Sequence, residues 1–223
     1  TFFLTKNQMF NIFFIRNNKK GEKEYFMNFK ESKTKECLAR AFAGVCQDGA
    51  RLQFIAKSAE KENMFFISLQ IKEIAKNKMA HASIIYDAML KELSQQKENI
   101  NIEAGYPFES QKLNSSLKDS AEIEEYEAKN IYTHFAKIAK DEGYEKIEKI
   151  FKLIAISNIN NSKKLNKLAI MFDNKSIYKS NEKIIWECSN CGYTEESKQA
   201  WDYCPLCSYP KGYVKFDLNN INK

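Results

Sequence analysis

Four cysteines stand in two pairs, Cys188-x-x-Cys191 and Cys204-x-x-Cys207, with twelve residues between the pairs. That spacing lets both thiolates of a pair reach one ion, and two such pairs complete a tetrahedron. Two disulfides are the alternative chemistry, but they belong to oxidising compartments. Thiolate tetrahedra accept iron or zinc, so the spacing names the ligands and leaves the ion open. Iron there would pass single electrons, whereas zinc would only hold the fold together. Gly192 follows the second cysteine and suits a tight knuckle whose N–H groups point at the sulfurs. Trp186, Tyr193, Trp201 and Tyr203 are the expected apolar cover that limits water at the metal. Cys37 and Cys46 lie far upstream and read as buried helix thiols.

A second group of chemically able residues recurs at helical spacing. Over residues 62–94 the inward stripe is 67, 71, 74, 78, 81, 85, 89 and 93, which includes Lys78 and His81. Over 116–140 it is 117, 120, 124, 127, 131, 135 and 138, with Glu124 and Glu127. Over 144–172 it is 147, 150, 154, 158, 161, 165, 168 and 172, with Asn158 and Asn161. Each polar pair is spaced i, i+3, so both members face the same way. So many inward polar groups are costly unless they serve one another. His134 follows Glu127 by seven residues; it reads as a surface histidine, with a rescue ligand as the alternative.

The elements that must position these residues are four long helices. The first spans 34–60, with the stripe 38, 42, 45, 49, 52, 56 and 59. About two dozen residues containing Gly105-Tyr106-Pro107 separate the second helix from the third, a length suited to a crossover. Asp141-Glu142-Gly143 ends the third with a glycine. Four helices with one long crossover describe a ferritin-like four-helix bundle. The chain is therefore expected to be mostly α, with a small C-terminal metal knuckle of four cysteines containing short β structure. The expected organisation is an N-terminal extension over 1–26, disordered or atypical, a bundle over 27–172, a polar linker over 173–185 and a cysteine domain over 186–223.

Composition agrees. Seven glycines and three prolines among 223 residues favour helices, and 43% hydrophobic residues supply a core. The net charge of +6 is concentrated in Arg16–Lys35 without a basic, aromatic-interleaved stripe, so no nucleic-acid partner is expected. The apolar clusters of 1–26 are broken by Lys6, Asn7, Gln8 and Asn11, and their positive charges follow the apolar part. No membrane span and no signal peptide are read there, and a cytoplasmic location is expected.

Taken together, these residues resemble the rubrerythrin family, which joins a ferritin-like di-iron bundle to a rubredoxin-like iron site. "AFAGVCQDGARLQFIAK" (41–57), "IAKNKMAHA" (74–82) and the stretch 117–151 resemble its helices, and "CSNCGY…CPLC" resembles its cysteine module. The resemblance covers about 27–216. It implies a one-iron Fe(Cys)4 site, a homodimer and an electron-donor reductase. It also implies hydrogen peroxide as the oxidant of an NADH-linked peroxidase. The bundle motif departs from the family pattern, which builds its di-iron site from carboxylates and Glu-x-x-His pairs. Val45 stands at the first-helix Glu, Lys78-x-x-His81 at the second-helix Glu-x-x-His, and Asn158-x-x-Asn161 at the fourth-helix Glu-x-x-His. His81, Glu124 and Glu127 are the three of seven expected ligands that remain, as a residual metal site. A lysine cannot ligate while charged, but its ammonium suits carboxylates left without iron.

Three functions compete. The first expectation is a rubrerythrin-like non-haem iron protein that transfers electrons through the four-cysteine iron, its bundle di-iron site lost or reduced. The alternatives are a peroxide reductase in oxidative-stress defence and a helical binding scaffold with structural zinc.

Overall fold

The computed structural model describes residues 13–17, 23–94, 97–108, 112–219 and 221. Strands β1 (Phe13–Asn17) and β2 (Lys23–Met27) pair antiparallel, Phe13 opposite Met27. They fall within the expected N-terminal extension, whose other residues to position 22 lie outside the described residues. The helices are α1 (Lys33–Lys61), α2 (Phe65–Glu92), α3 (Leu113–Tyr126), α4 (Thr133–Asp141) and α5 (Glu145–Asp173). A π-helical segment, Glu127–Tyr132, joins α3 to α4 without a break, so the three make one long third helix. The fold is mostly α, a ferritin-like arrangement of four long helices with a short-stranded C-terminal region. No helix among the described residues is long and apolar enough to cross a membrane.

Helix ends follow local chemistry. Ser32 Oγ accepts from the backbone N–H of Lys35, and the Glu142 carboxylate accepts from the N–H groups of Lys33 and Thr34, at 3.0 and 2.8 Å. Four orphan donors at a helix start want such acceptors, and a carboxylate also suits the positive end of the dipole. Three C-termini close alike. Asn63, Gly143 and Lys175 take left-handed φ of 58°, 85° and 52°. The next N–H then reaches back to the carbonyl of Ala59, Ala139 or Met171, respectively.

The chain forms two compact units. The first comprises residues 1–48, 77–107 and 123–160; the second comprises 49–76, 108–122 and 161–223. In the first, Leu38, Val45, Ile85, Tyr132, Phe135, Phe151 and Ile154 form the core. The crossover is fastened to α1 by Lys35–Glu98 at 3.0 Å and by Tyr106 Oη donating to the Arg40 carbonyl at 3.4 Å. In the second, Leu52, Phe66, Ile71, Leu117, Leu165 and Leu168 share one core with Trp186, Val214 and Phe216. Phe66 stacks on Phe216 at 4.2 Å, and Trp186 meets Phe216 edge-on at 5.1 Å. The cysteine region is thus built onto helix segments of its own unit, not carried as a free-standing knob.

Strands β3 (Lys179–Cys188), β4 (Thr194–Gln199) and β5 (Val214–Lys215) form a sheet in the order β4-β3-β5, both pairings antiparallel. This revises the linker expected over 173–185. From Lys179 onward it is strand: Ile184 and Trp186 turn onto the core, while Ile185 between them faces solvent. The helix stripes also need two revisions: Phe42, on the first, is exposed, and the third shifts its phase. Past Glu127 the buried positions are Ala128, Tyr132, Phe135, Ala136 and Ala139, while Ile131 and Ile138 are half-buried. The wider π turn advances the phase, which a uniform 3.5-residue step does not anticipate.

Candidate metal centre and a buried charge cluster

The cysteine site is made by two knuckles of one design. The N–H of Gly192 donates to the Cys188 carbonyl at 2.9 Å, and that of Ser208 to the Cys204 carbonyl at 2.8 Å. Gly192 has φ of +77°, and Ser208 takes the matching place at +59°. Only glycine adopts this conformation freely, so the second knuckle is the strained copy. The backbone N–H groups of Tyr193 and Tyr209 point at the sulfurs of Cys191 and Cys207. Asn190 Nδ2 lies 3.5 Å from Cys207 Sγ. The Tyr209 N–H, then the Asn190 amide, help pull the Cys207 thiol down to about 6.

A tetrahedral ion with sulfurs at about 2.3 Å separates those sulfurs by about 3.8 Å. Cys188 and Cys207 stand 3.7 Å apart, Cys191 and Cys204 3.6 Å, and all four sulfurs lie within 4.8 Å of one another. The donors fit one thiolate-bound metal. Cys188 and Cys204 are buried, Cys191 is exposed and Cys207 is half-exposed, so one edge of the site faces solvent. Trp186 is fully buried, its Nε1 donating to the Ser197 carbonyl at 2.9 Å, and Tyr193 packs edge-on against Trp201 at 5.3 Å. Tyr203 departs from the expected cover: it is 69% exposed, because its backbone bridges Pro210 and leaves the ring in solvent.

In the first unit, Lys78 is the centre of a buried cluster. Its Nζ lies 2.8 Å from Glu124 Oε1, 3.0 Å from Asp48 Oδ2, 3.1 Å from Glu127 Oε2 and 3.5 Å from Asn158 Oδ1. Asn158 turns its amide to Glu127 Oε2 at 2.9 Å. Lys78, Asp48, Glu124 and Asn158 are at most 2% exposed. Burial alone would lower the Lys78 pKa, but Glu124, Glu127 and Asp48 outweigh it and hold the ammonium well above its usual range. Burial raises Glu127 to about 7, against the pull of Lys78 and with the push of Asp48 and Glu124. Burial, then repulsion from Lys78, lowers His81 to about 4, so its imidazole is neutral near pH 7.

The structure therefore gathers Lys78, Glu124, Glu127 and Asn158 at one point. His81 is half-buried, with a buried Nδ1. Val45 joins the apolar core, Asn161 is buried in the other unit, and His134 is exposed on the surface. Asp48 is the functional residue that the periodicity passes over. It sits three residues after Val45, the same spacing as the other three inward pairs, and that repeat was the available signal. Two hard iron ions need bridging carboxylates and imidazoles around an open centre. Here an ammonium fills the centre and two asparagines and a valine replace donors, so the residues do not fit a di-iron pair.

Comparison with known proteins adds an independent view. The rubrerythrin family profile matches residues 36–158, and the profile of the rubrerythrin rubredoxin-like domain matches 186–215. Rubrerythrin from Clostridium perfringens is 34% identical over 189 residues, covering 84% of this chain and 96% of that protein. Rubrerythrin-1 from Clostridium acetobutylicum is 33% identical over 193 residues, covering 86% and 98%. Among solved structures, nigerythrin in a mixed-valence state superposes with a TM-score of 0.55 at 21% identity, over 85% of this chain and 93% of that one.

Proposed function

Because the chain belongs to the rubrerythrin family, we propose that it is a single-electron carrier working through one iron held by Cys188, Cys191, Cys204 and Cys207, with the bundle no longer housing a di-iron centre. The functional division in this reading is a helical part over 27–172 and an iron-bearing part over 186–223. Bound there, iron would supply a ferric–ferrous couple. The chain's own residues hold the sulfurs, donate N–H groups to them and leave the Cys191 edge open to a redox partner. We place the protein in the cytoplasm as a homodimer fed by a reductase.

The observation that carries the reading is the Lys78 ammonium, 2.8 Å from Glu124 and 3.1 Å from Glu127, on the carboxylates a second and third iron would need. Reducing hydrogen peroxide to water consumes two electrons and two protons. A lone thiolate-bound iron gives one electron at a time and offers peroxide no open coordination position. Metal analysis of anaerobically purified protein tests this directly. One iron per chain and a reversible one-electron couple are expected, with slow peroxide turnover even when NADH and a reductase are supplied. Three irons per chain with fast turnover dependent on Glu124 and Glu127 would restore the peroxidase. Zinc alone would leave a structural scaffold.

A further inference from the structure

Resting on that reading, we propose that Lys78 is a built-in cation occupying a latent hard-metal site made by Asp48, Glu124, Glu127 and Asn158, and that its ammonium alone keeps divalent metal out of the first unit. The family's ligand pattern does not supply this set, since Asp48 lies outside it. Four oxygens from three separate helices and the start of the π segment converge on Nζ at 2.8 to 3.5 Å. They enclose a cation as a coordination shell does. A manganous or ferrous ion takes the same kind of donor, carboxylate and carbonyl oxygen, at about 2.2 Å, so the shell need contract by only about 1 Å.

Charge points the same way. Three carboxyl groups meet one ammonium, and a divalent ion in its place would bring more positive charge to the same oxygens. An ion cannot simply join the cluster, because Nζ occupies the point on which the oxygens converge. Its charge would also repel a second cation across the same few ångströms. Lys78 is fully buried and reached by three carboxylates, so it has no solvent position to vacate cheaply.

The test uses the full chain with its cysteine site filled by zinc. Manganese(II) is titrated in, and the electron paramagnetic resonance of free manganese is followed. The unmodified protein should leave that signal undiminished. Lys78→Ala, which frees the centre, should remove one manganese per chain with a Kd on the order of 10 µM. Asp48→Asn added to Lys78→Ala should weaken that binding about tenfold or more. If Lys78→Ala loses helical circular dichroism but regains it with manganese, the latent site is supported. If it neither binds manganese nor refolds with it, the proposal fails. Binding by the unmodified protein that is lost on Glu124→Gln also overturns it. One iron per unmodified chain together with a Lys78→Ala variant blind to manganese would sink this inference alone, whereas three irons per unmodified chain would sink the electron-carrier reading as well.

Discussion

Replacing Glu127 by glutamine isolates the electrostatics of one buried carboxyl. In the folded protein burial raises this group from 4.5 to about 7, although Lys78 pulls the other way. The native state therefore holds the proton more tightly than the unfolded chain. The stability this contributes is full below about pH 4.5 and is lost as the pH rises through about 7. At about 1.4 kcal/mol per pKa unit, the change is about 3 kcal/mol. Glutamine keeps the shape of the protonated acid and has no proton to lose. The unfolding free energy of Glu127→Gln minus that of the unmodified protein should therefore rise by about 3 kcal/mol between about pH 4.5 and 7.5, and then level off. Urea unfolding followed by far-ultraviolet circular dichroism measures it. Both proteins are compared in the same zinc-loaded form, so that acid release of metal from the cysteines is common to the two. A flat difference, or an unmodified protein that gains on the variant as the pH rises, would refute the reasoning. Glu127 would then be an ordinary ionised partner of Lys78.

Other residues give further checks. His81, lowered from 6.5 to about 4, contributes stability above the unfolded value that is lost as the pH falls toward 4; His81→Gln should gain on the unmodified protein in acid, and a melting-temperature difference constant with pH would contradict this. Cys204→Ser should strip the metal and its visible absorption and loosen the sheet around it; full metal content with an unchanged spectrum would disprove the ligand assignment. A Cβ at Gly212 would lie 1.9 Å from the Asn63 carbonyl oxygen, which is backbone and cannot turn aside. Gly212→Ala should therefore cost at least about 3 kcal/mol in chemical denaturation, and a variant as stable as its parent would show the contact to be looser than drawn.

Much of the helical architecture was legible because a buried stripe repeats at a physical period. Leu38, Val45, Leu52, Ile71, Lys78, Ile85, Glu124, Asn158 and Leu165 all turn inward as spacing dictates. What the spacing missed was equally physical. Stepping from Val45 to Gly49 passes over Asp48, although both lie within one turn of the inward face. The π segment has no marker among its side chains, and it shifted the stripe beyond Glu127. The cysteine pairs announced a cluster that the fold brings together, all four sulfurs lying within 4.8 Å of one another. The run Ile184-Ile185-Trp186 shows no apolar–polar alternation among its lysines and glutamates, so strand could not be told from linker. Periodicity also says which side chains are apolar without saying which meet, so the core shared by Trp186, Phe216 and Phe66 stayed hidden.

That shared core sets a timetable for biosynthesis. Leu52, Phe66 and Ile71 emerge from the ribosome long before Trp186, which lies 110 residues beyond Lys76, and before Phe216. At roughly 5–20 residues per second, those apolar faces wait about 6–22 s for the partners that cover them. A chaperone that holds nascent chains has that interval in which to act. The cysteines arrive with the last pieces of the core, so metal capture and the closing of this unit fall in the same moment of synthesis. A cell starved of the metal would meet the shortage as a failure to close this unit.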